Sequence, residues 1–352
     1  MKKDRTAGGW LSEPAATVDG AAAEAARRRQ QQLTKPPGSL GELEDLAVTL
    51  AGLQGRERPR LERVRVGVFA ADHGVAAEGV SAFPQAVTAE MVRNFSRGGA
   101  AISVLCRRLG AELGVINVGT VTELEPLAAV VDRRLAAGTA NLLREPAMTP
   151  EQYVAALAVG RDWVDADVDC ELIIGGEMGI GNTTAAAAVA AALTGLPVAG
   201  LVGRGTGVDD AGLARKRRVV EEALARHGCG PDRPDEVLRC VGGLELVALA
   251  GAYVRAAQRG VAVLVDGFIT TAAALAAVAL HPGARPWLLF SHCSAEQGHG
   301  ALLEALSARP LLNLNLRLGE ASGAALALPL LQAALALHAD MATFAEAEVS
   351  HG

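Results

Sequence analysis

The chain is poor in aromatic residues: Phe, Trp and Tyr together make up 3% of its 352 positions. That argues against base stacking on aromatic platforms. It has no excess of positive charge, with 33 Lys and Arg against 39 Asp and Glu and a net charge of −6. A basic nucleic-acid groove is not expected. Cysteine is scarce, odd in number and never spaced as CxxC: the five stand at Cys106, Cys170, Cys229, Cys240 and Cys293. Neither a disulfide framework nor a cysteine zinc site fits, and a reducing cytoplasm is the expected compartment. The opening MKKDRTAGGWLSEP has two lysines but no apolar run behind them, so it does not read as a signal peptide. The longest apolar stretch runs from Phe268 to just before His281-Pro282, too short for a bilayer, and reads as a buried helix. What is present is globular: 50% hydrophobic and 20% charged residues, in a length that suits one large domain or two modest ones. Abundant Ala and Gly predict helices that pack closely through small residues.

Polarity and the Gly/Pro content mark residues 1–18 as a loose leader. Gly20 to Leu33 is a good helix by propensity and stops at Lys35-Pro36-Pro37-Gly38. Ser39 with Glu42 reads as a capping box for a second helix toward Leu53. After Pro59 short apolar runs alternate with longer Ala/Leu segments. The runs are Val64–Ala70, Leu113–Val118, Glu171–Ile174, Val198–Val202, Val261–Val265 and Trp287–Phe290. Strands this apolar are buried on both faces, as in a parallel sheet covered by helices. The expected fold is α/β: a doubly wound, mostly parallel sheet of about six strands flanked by helices, over 61–298. A smaller helical domain is expected from both chain ends, 19–60 and 299–352, with an Ala/Leu helix broken near Pro329.

Polar and glycine-rich residues follow the runs: Asp72-His73-Gly74 after the first, Gly175 to Thr184 after the third, Gly203 to Gly207 after the fourth. Asp266-Gly267-Phe268 and Ser291-His292-Cys293 follow the last two. Ligands of open α/β sheets bind at such carboxyl ends, so these loops are read as one site. Gly176 to Thr183 nearly matches the phosphate loop GxxxxGK[ST], with Asn182 in the lysine position. Backbone N–H groups at a helix N-terminus still hold a phosphate, but the lysine that reaches β- and γ-phosphates is missing. A nucleoside monophosphate or sugar phosphate fits better than ATP; a plain strand-to-helix turn is the bland alternative. Gly203-Arg204-Gly205-Thr206-Gly207 offers a second wall of an anion site, or merely a tight turn, with Lys216 in the next helix. Asp209-Asp210 reads as helix N-terminal charge. His73, His292 and His299 invite a metal reading, but no closed ligand set assembles from them. Asp72 and His73 are expected to hydrogen-bond loop backbone, and Ser291 to cap the helix that follows it. Glu320, among Gly319, Ala321, Ser322 and Gly323, is either a partly buried base or a solvated helix-terminal carboxylate. Glu177 raises the same question, and a carboxylate there should point away from a phosphate. Ser81-Ala82-Phe83-Pro84-Gln85 through Met91 offers an apolar wall for a flat heterocycle, or an ordinary loop and helix start.

The ordered set KPPGSLG at 35–41, ADHGV at 71–75, GVSAFP at 79–84, GGEMGIGNTT at 175–184, GRGTG at 203–207, DGF at 266–268, SHCSAEQG at 291–298 and LGEASGAA at 318–325 is specific. It closely resembles the nicotinate-nucleotide–dimethylbenzimidazole phosphoribosyltransferases of the cobalamin lower-ligand pathway, over about residues 20 to 340. The resemblance implies a homodimer that turns nicotinate mononucleotide and 5,6-dimethylbenzimidazole into α-ribazole 5′-phosphate and nicotinate. It implies Glu320 as general base and Glu177 as a second carboxylate of the site. It implies a phosphate and ribose pocket of Gly176, Gly179, Ile180, Gly181, Asn182, Thr183, Gly203, Arg204 and Gly205, with Lys216, Asp266 and Ser291 nearby. The base would lie against Ser81, Phe83, Pro84, Gln85, Met91 and Leu318. Bulky Phe83 and Met91 favour an apolar, methylated base. No metal or other cofactor is expected, and neither a nucleic-acid nor a membrane partner. Competing readings are transfer to another lower-ligand base, a non-catalytic nucleotide-binding regulator, a nucleotide-dependent hydrolase or kinase, and a histidine metal hydrolase.

Overall fold

The computed structural model describes residues 9–350. Seven strands form one all-parallel sheet: β1 Val64–Ala71, β2 Glu112–Gly119, β3 Val130–Asp132, β4 Leu172–Met178, β5 Ala262–Val265, β6 Leu288–His292 and β7 Pro310–Leu312. Their order is β3-β2-β1-β4-β5-β6-β7. Strand order therefore reverses between β1 and β4, and the carboxyl ends of strands near such a reversal are where open α/β sheets bind ligands.

Period-two geometry sends alternate residues of β1 to two separate cores. Val64, Val66, Val68 and Ala70 face one core, which also holds Leu50, Ile102, Leu328 and Leu331 from helices on that side. Phe69 and Ala71 face the other, with Leu157, Leu249 and the alanines of helix Asn182–Thr194. That helix is buried almost all round, with every residue from Thr184 to Ala192 inside. Small side chains let it fit, as the alanine content predicts. Helices Gly20–Gln32 and Glu42–Gln54 pack on one another, and the second also packs on helix Ser322–Asp340. Leu33 bridges to Thr343, so the two chain ends meet.

Several expectations are corrected. The run at 198–202 is not a strand: Val198–Leu201 is a single helical turn, and Pro197 before it is its extended N-cap. Two three-residue edge strands, β3 and β7, complete the sheet in its place. The helix at Glu42 starts from Gly41, with no side-chain cap from Ser39. Glu44 supplies the contact instead, accepting from Leu40 N–H at 3.0 Å and pairing with Lys35 at 2.7 Å. Helix Ser322–Asp340 runs unbroken through Pro329. Proline there costs about 3 kcal/mol, offset by buried neighbours such as Leu328 and Leu331. This helix is long and apolar enough to cross a membrane, yet 56% of its apolar window is buried inside the fold. Of the leader, residues 1–8 lie outside the described part. Residues 9–18 are packed rather than loose: Trp10 is buried, and Ala16 N–H donates to the Ala257 carbonyl at 2.8 Å.

Candidate active site

A cavity of about 260 Å³ opens at the carboxyl ends of β4, β5 and β6. Its walls are Glu177 to Ile180, Asn182-Thr183, Gly205-Thr206, Asp266 to Thr270, parts of the loop after β6, and Arg317 to Glu320. The backbone that carries Glu320 is unusual. Gly319, Glu320 and Ala321 have φ of +84°, +62° and +65°, three successive left-handed residues. Two of them have side chains, which cost roughly 1–3 kcal/mol each in this region. The turn is held against β4 because Gly176 has no side chain. A Cβ at Gly176 would stand 2.7 Å from Ala321 N and 2.8 Å from the Glu320 carbonyl carbon. On the facing side, a Cβ at Gly319 would stand 2.5 Å from Glu177 Oε1. Two glycines thus bring the two glutamates into one site.

Glu320 is buried, and no group among the described residues hydrogen-bonds its carboxyl. Burial, with the Asp266 carboxylate nearby, pushes its pKa up to about 7. Glu177 accepts the Glu320 N–H and bonds the Asn182 amide through Oε2. Burial pushes its pKa well above the usual range, and the carboxylates of Glu245, Asp266 and Glu320 add to this. Asp266 accepts Ala324 N–H at 2.7 Å through Oδ1, while Oδ2 has no hydrogen-bond partner. Burial raises its pKa, and His292 works in the opposite direction.

The glycine loop 179–181 leads into helix Asn182–Thr194, whose first turn lines the cavity at Asn182 and Thr183. Lys216 is buried behind it, its Nζ donating to Thr183 Oγ1 at 2.7 Å and to the Gly203 carbonyl at 3.2 Å. Burial lowers its pKa to about 8, so it remains cationic at neutrality. Gly205 N–H is held by Glu296 at 3.2 Å. The result is one end rich in hydroxyl groups and backed by a cation, and one end lined by carboxyls.

Of the anticipated phosphate and ribose residues, Gly179, Ile180, Asn182, Thr183, Gly205 and Asp266 line the cavity, as do both glutamates. Gly176 lies within β4 and serves the close approach described above. Gly181 caps the helix with φ +101° and lies on the His73 side chain, off the wall. Gly203 contributes its carbonyl to Lys216. Arg204 turns outward to Asp210 and to the Val208 carbonyl. Ser291 is buried in β6, where it bonds His292 Nδ1 at 2.9 Å and caps no helix.

Of the anticipated base residues only Leu318, 60% exposed, is on the wall. Ser81 bonds Thr206 at 3.1 Å, and Gln85 donates to the His73 carbonyl at 2.9 Å. Pro84 and Phe83 lie off the cavity, the latter 53% exposed, and Met91 packs against the core. The segment instead braces the loops: Thr88 donates to Asp72 at 2.6 Å and accepts Ile180 N–H at 3.1 Å. Asp72 also takes a loop N–H, that of Val121, at 2.8 Å. The His73 ring bonds not backbone but Glu245, at 2.8 Å, both fully buried. Asp209 caps its helix through Gly212 N–H at 2.8 Å, as its position suggests.

Wall residues to which sequence reasoning gave no substrate role include Met178, His292, Glu296 and Arg317. Their one available signal was adjacency to the glycine motifs. His299 is committed on both ring nitrogens: Nδ1 accepts Ser294 N–H at 2.7 Å, so the proton sits on Nε2, 2.9 Å from Thr271 Oγ1. Burial pushes its pKa down to about 3, and the ring is neutral.

A family model described as Phosphoribosyltransferase matches residues 15–349. The nicotinate-nucleotide–dimethylbenzimidazole phosphoribosyltransferase of Pseudomonas aeruginosa UCBPP-PA14 is 62% identical over 321 residues, covering 91% of this chain and 92% of the relative. The Azotobacter vinelandii protein of that name is 60% identical over 344 residues, 97% of each chain. A crystal structure of the corresponding enzyme from Thermus thermophilus superposes with a TM-score of 0.89 at 50% identity, covering 95% of this chain and all of that one. A structure titled CobT, from the same organism, gives 0.90 at 51% identity, with 94% of this chain covered and all of that one. With its sheet order, its paired glutamates and relatives of this closeness, the chain belongs to the family of nicotinate-nucleotide–dimethylbenzimidazole phosphoribosyltransferases.

Proposed function

We propose that this protein transfers the phosphoribosyl group of nicotinate mononucleotide to 5,6-dimethylbenzimidazole, giving α-ribazole 5′-phosphate and nicotinate for the nucleotide loop of cobalamin. The observation that carries the reading is the Glu320 carboxyl: buried, without a protein hydrogen-bond partner among the described residues, open to a cavity and titrating at about 7. Such a group is matched to proton transfer near neutrality.

In this reading the 5′-phosphate lies toward Gly179, Ile180, Asn182, Thr183 and Gly205. Lys216 supports that end through Thr183, and Asp266 offers its free Oδ2 to a ribose hydroxyl. The C1′–N bond to the pyridinium breaks, and its electron pair returns to the ring nitrogen. That neutralises the leaving group, so no general acid is needed. A benzimidazole nitrogen attacks C1′ from the opposite face, turning a β- into an α-linkage. Glu320 takes the proton from the other ring nitrogen. General base help of this kind is worth roughly 10²–10⁴-fold. Glu177, whose neutral form burial favours, accepts the Glu320 N–H beside Asn182 and keeps its neighbour's turn in place. The carboxyl-lined end favours the positive charge that develops on the ribosyl carbon.

The same reading makes the protein a cytoplasmic homodimer. Both chain ends then form a small helical unit beside the sheet domain. The test is incubation with nicotinate mononucleotide and 5,6-dimethylbenzimidazole in the presence of EDTA, followed by mass-detected chromatography. Nicotinate and ribazole phosphate in equal amounts are expected. Nicotinate alone would mean hydrolysis, and no turnover by folded protein would reject the transferase.

A further inference from the structure

The cavity wall carries one cation to which the proposed mechanism gives no task. Arg317 stands three residues before Glu320, and its backbone is fixed. The Leu316 carbonyl accepts Ala295 N–H at 2.8 Å and the Ser294 hydroxyl at 3.0 Å. Four carboxyl-bearing residues, Glu177, Asp266, Glu296 and Glu320, share the cavity with it. Its exposed guanidinium nevertheless forms no hydrogen bond or ion pair among the described residues. Other loop arginines are paired, Arg204 with Asp210 for example. Among the described wall residues, Arg317 is the one permanent cation, since burial keeps His292 neutral and Lys216 sits behind Thr183.

Nicotinate mononucleotide brings two anionic groups to this site, and this inference rests on that substrate. The helix N-terminus with Thr183 and Lys216 suits the phosphate. The carboxylate on the pyridine ring would meet a wall of carboxyls unless a cation offset them. A guanidinium presents paired N–H donors that match a carboxylate, and it stays charged at every working pH. A ring amide has no charge to offer it. We infer that Arg317 binds the carboxylate of the nicotinate ring and makes the site select the acid mononucleotide over its amide.

The experiment compares wild type, Arg317→Met and Arg317→Lys with nicotinate mononucleotide and nicotinamide mononucleotide as donors, and 5,6-dimethylbenzimidazole as acceptor. Charge-assisted hydrogen bonds set the expected loss at about 10–100-fold in kcat/KM for the acid donor, mainly through KM. The amide donor should change by less than about twofold on the same reasoning, and Arg317→Lys should recover part of the loss. Inhibition by free nicotinate should weaken in parallel. Equal losses with both donors would place Arg317 on the phosphate and overturn the inference, as would unchanged selectivity. Calorimetric binding of the two mononucleotides tests the arginine separately from turnover. A wild type that binds the acid but makes no ribazole phosphate would refute the transferase reading and leave the selectivity result standing.

Discussion

Glu320→Gln should make the protein more stable at every pH above the ordinary carboxyl range, and most of all at neutral and alkaline pH. A glutamate carboxyl titrates near 4.5 in the unfolded chain and at about 7 in the fold. The folded state therefore holds the proton more tightly. Below pH 4.5 both states are protonated, and the group contributes no difference. As pH rises from 4.5 to 7 the unfolded chain releases its proton first, and the folded state loses stability relative to it. Above about pH 7 the loss is complete, on the order of 3 kcal/mol at about 1.36 kcal/mol per pKa unit. Glutamine keeps the shape and never ionises, so it avoids this cost. With an unfolding entropy of about 2.1 cal/mol/K per residue, a chain of this length should melt about 4 °C higher at about pH 8 to 9. At about pH 4 the two proteins should melt together. Differential scanning calorimetry across this range reads the effect. A difference independent of pH, or a less stable variant at alkaline pH, would refute the burial and the unpartnered state from which the cost arises.

Three further outcomes rest on the same geometry. The wild-type kcat should rise with pH through about 7, as Glu320 loses its proton, and level off above; a flat profile from about pH 5 to 8 would remove it as the base. Gly319→Ala forces a side chain onto φ +84° and against Glu177 Oε1. It should lower unfolding free energy by roughly 1–3 kcal/mol in urea titration and reduce turnover as well. Lys216→Met removes the cation behind Thr183 and should weaken nicotinate mononucleotide binding about 10–100-fold by calorimetry, with the KM for the base little changed.

Much of this fold is legible in the sequence because its strands are buried on both faces. Runs such as Val64–Ala70, polar only at Arg65, have no alternating polar face to confuse, and the glycine-rich turns mark where each run ends. The errors have physical causes. Val198–Val202 is apolar with a β-branched valine at each end, but Ala199, Gly200 and Leu201 between them carry no strand preference, and the segment forms a single helical turn. β3 and β7 span three residues each and gain their place from neighbours. The site is legible where local sequence and chemistry coincide, as from Gly179 to Thr183 after β4. It is illegible where a side chain's direction decides. Arg204 and Arg317 both sit beside glycine motifs, yet the first turns out to Asp210 and the second lines the cavity. Gly176 resembles a phosphate-loop glycine, but its missing side chain makes room for the Glu320 turn. Ser81 to Met91 has the apolar makeup of a pocket wall; Gln85 and Thr88 use it to brace the loops at His73 and Ile180. The left-handed backbone at Glu320 and Ala321 has no sequence signal, since neither residue favours it.

The most direct test is the single-turnover rate of Glu320→Gln with nicotinate mononucleotide and 5,6-dimethylbenzimidazole, with donor binding measured on the same preparation. The expected rate is lower by about 10²–10⁴-fold with donor affinity retained, because the carboxyl acts on the incoming base and leaves the phosphate end untouched. A variant that binds the donor and turns over at the wild-type rate would contradict the assignment of Glu320 as the base.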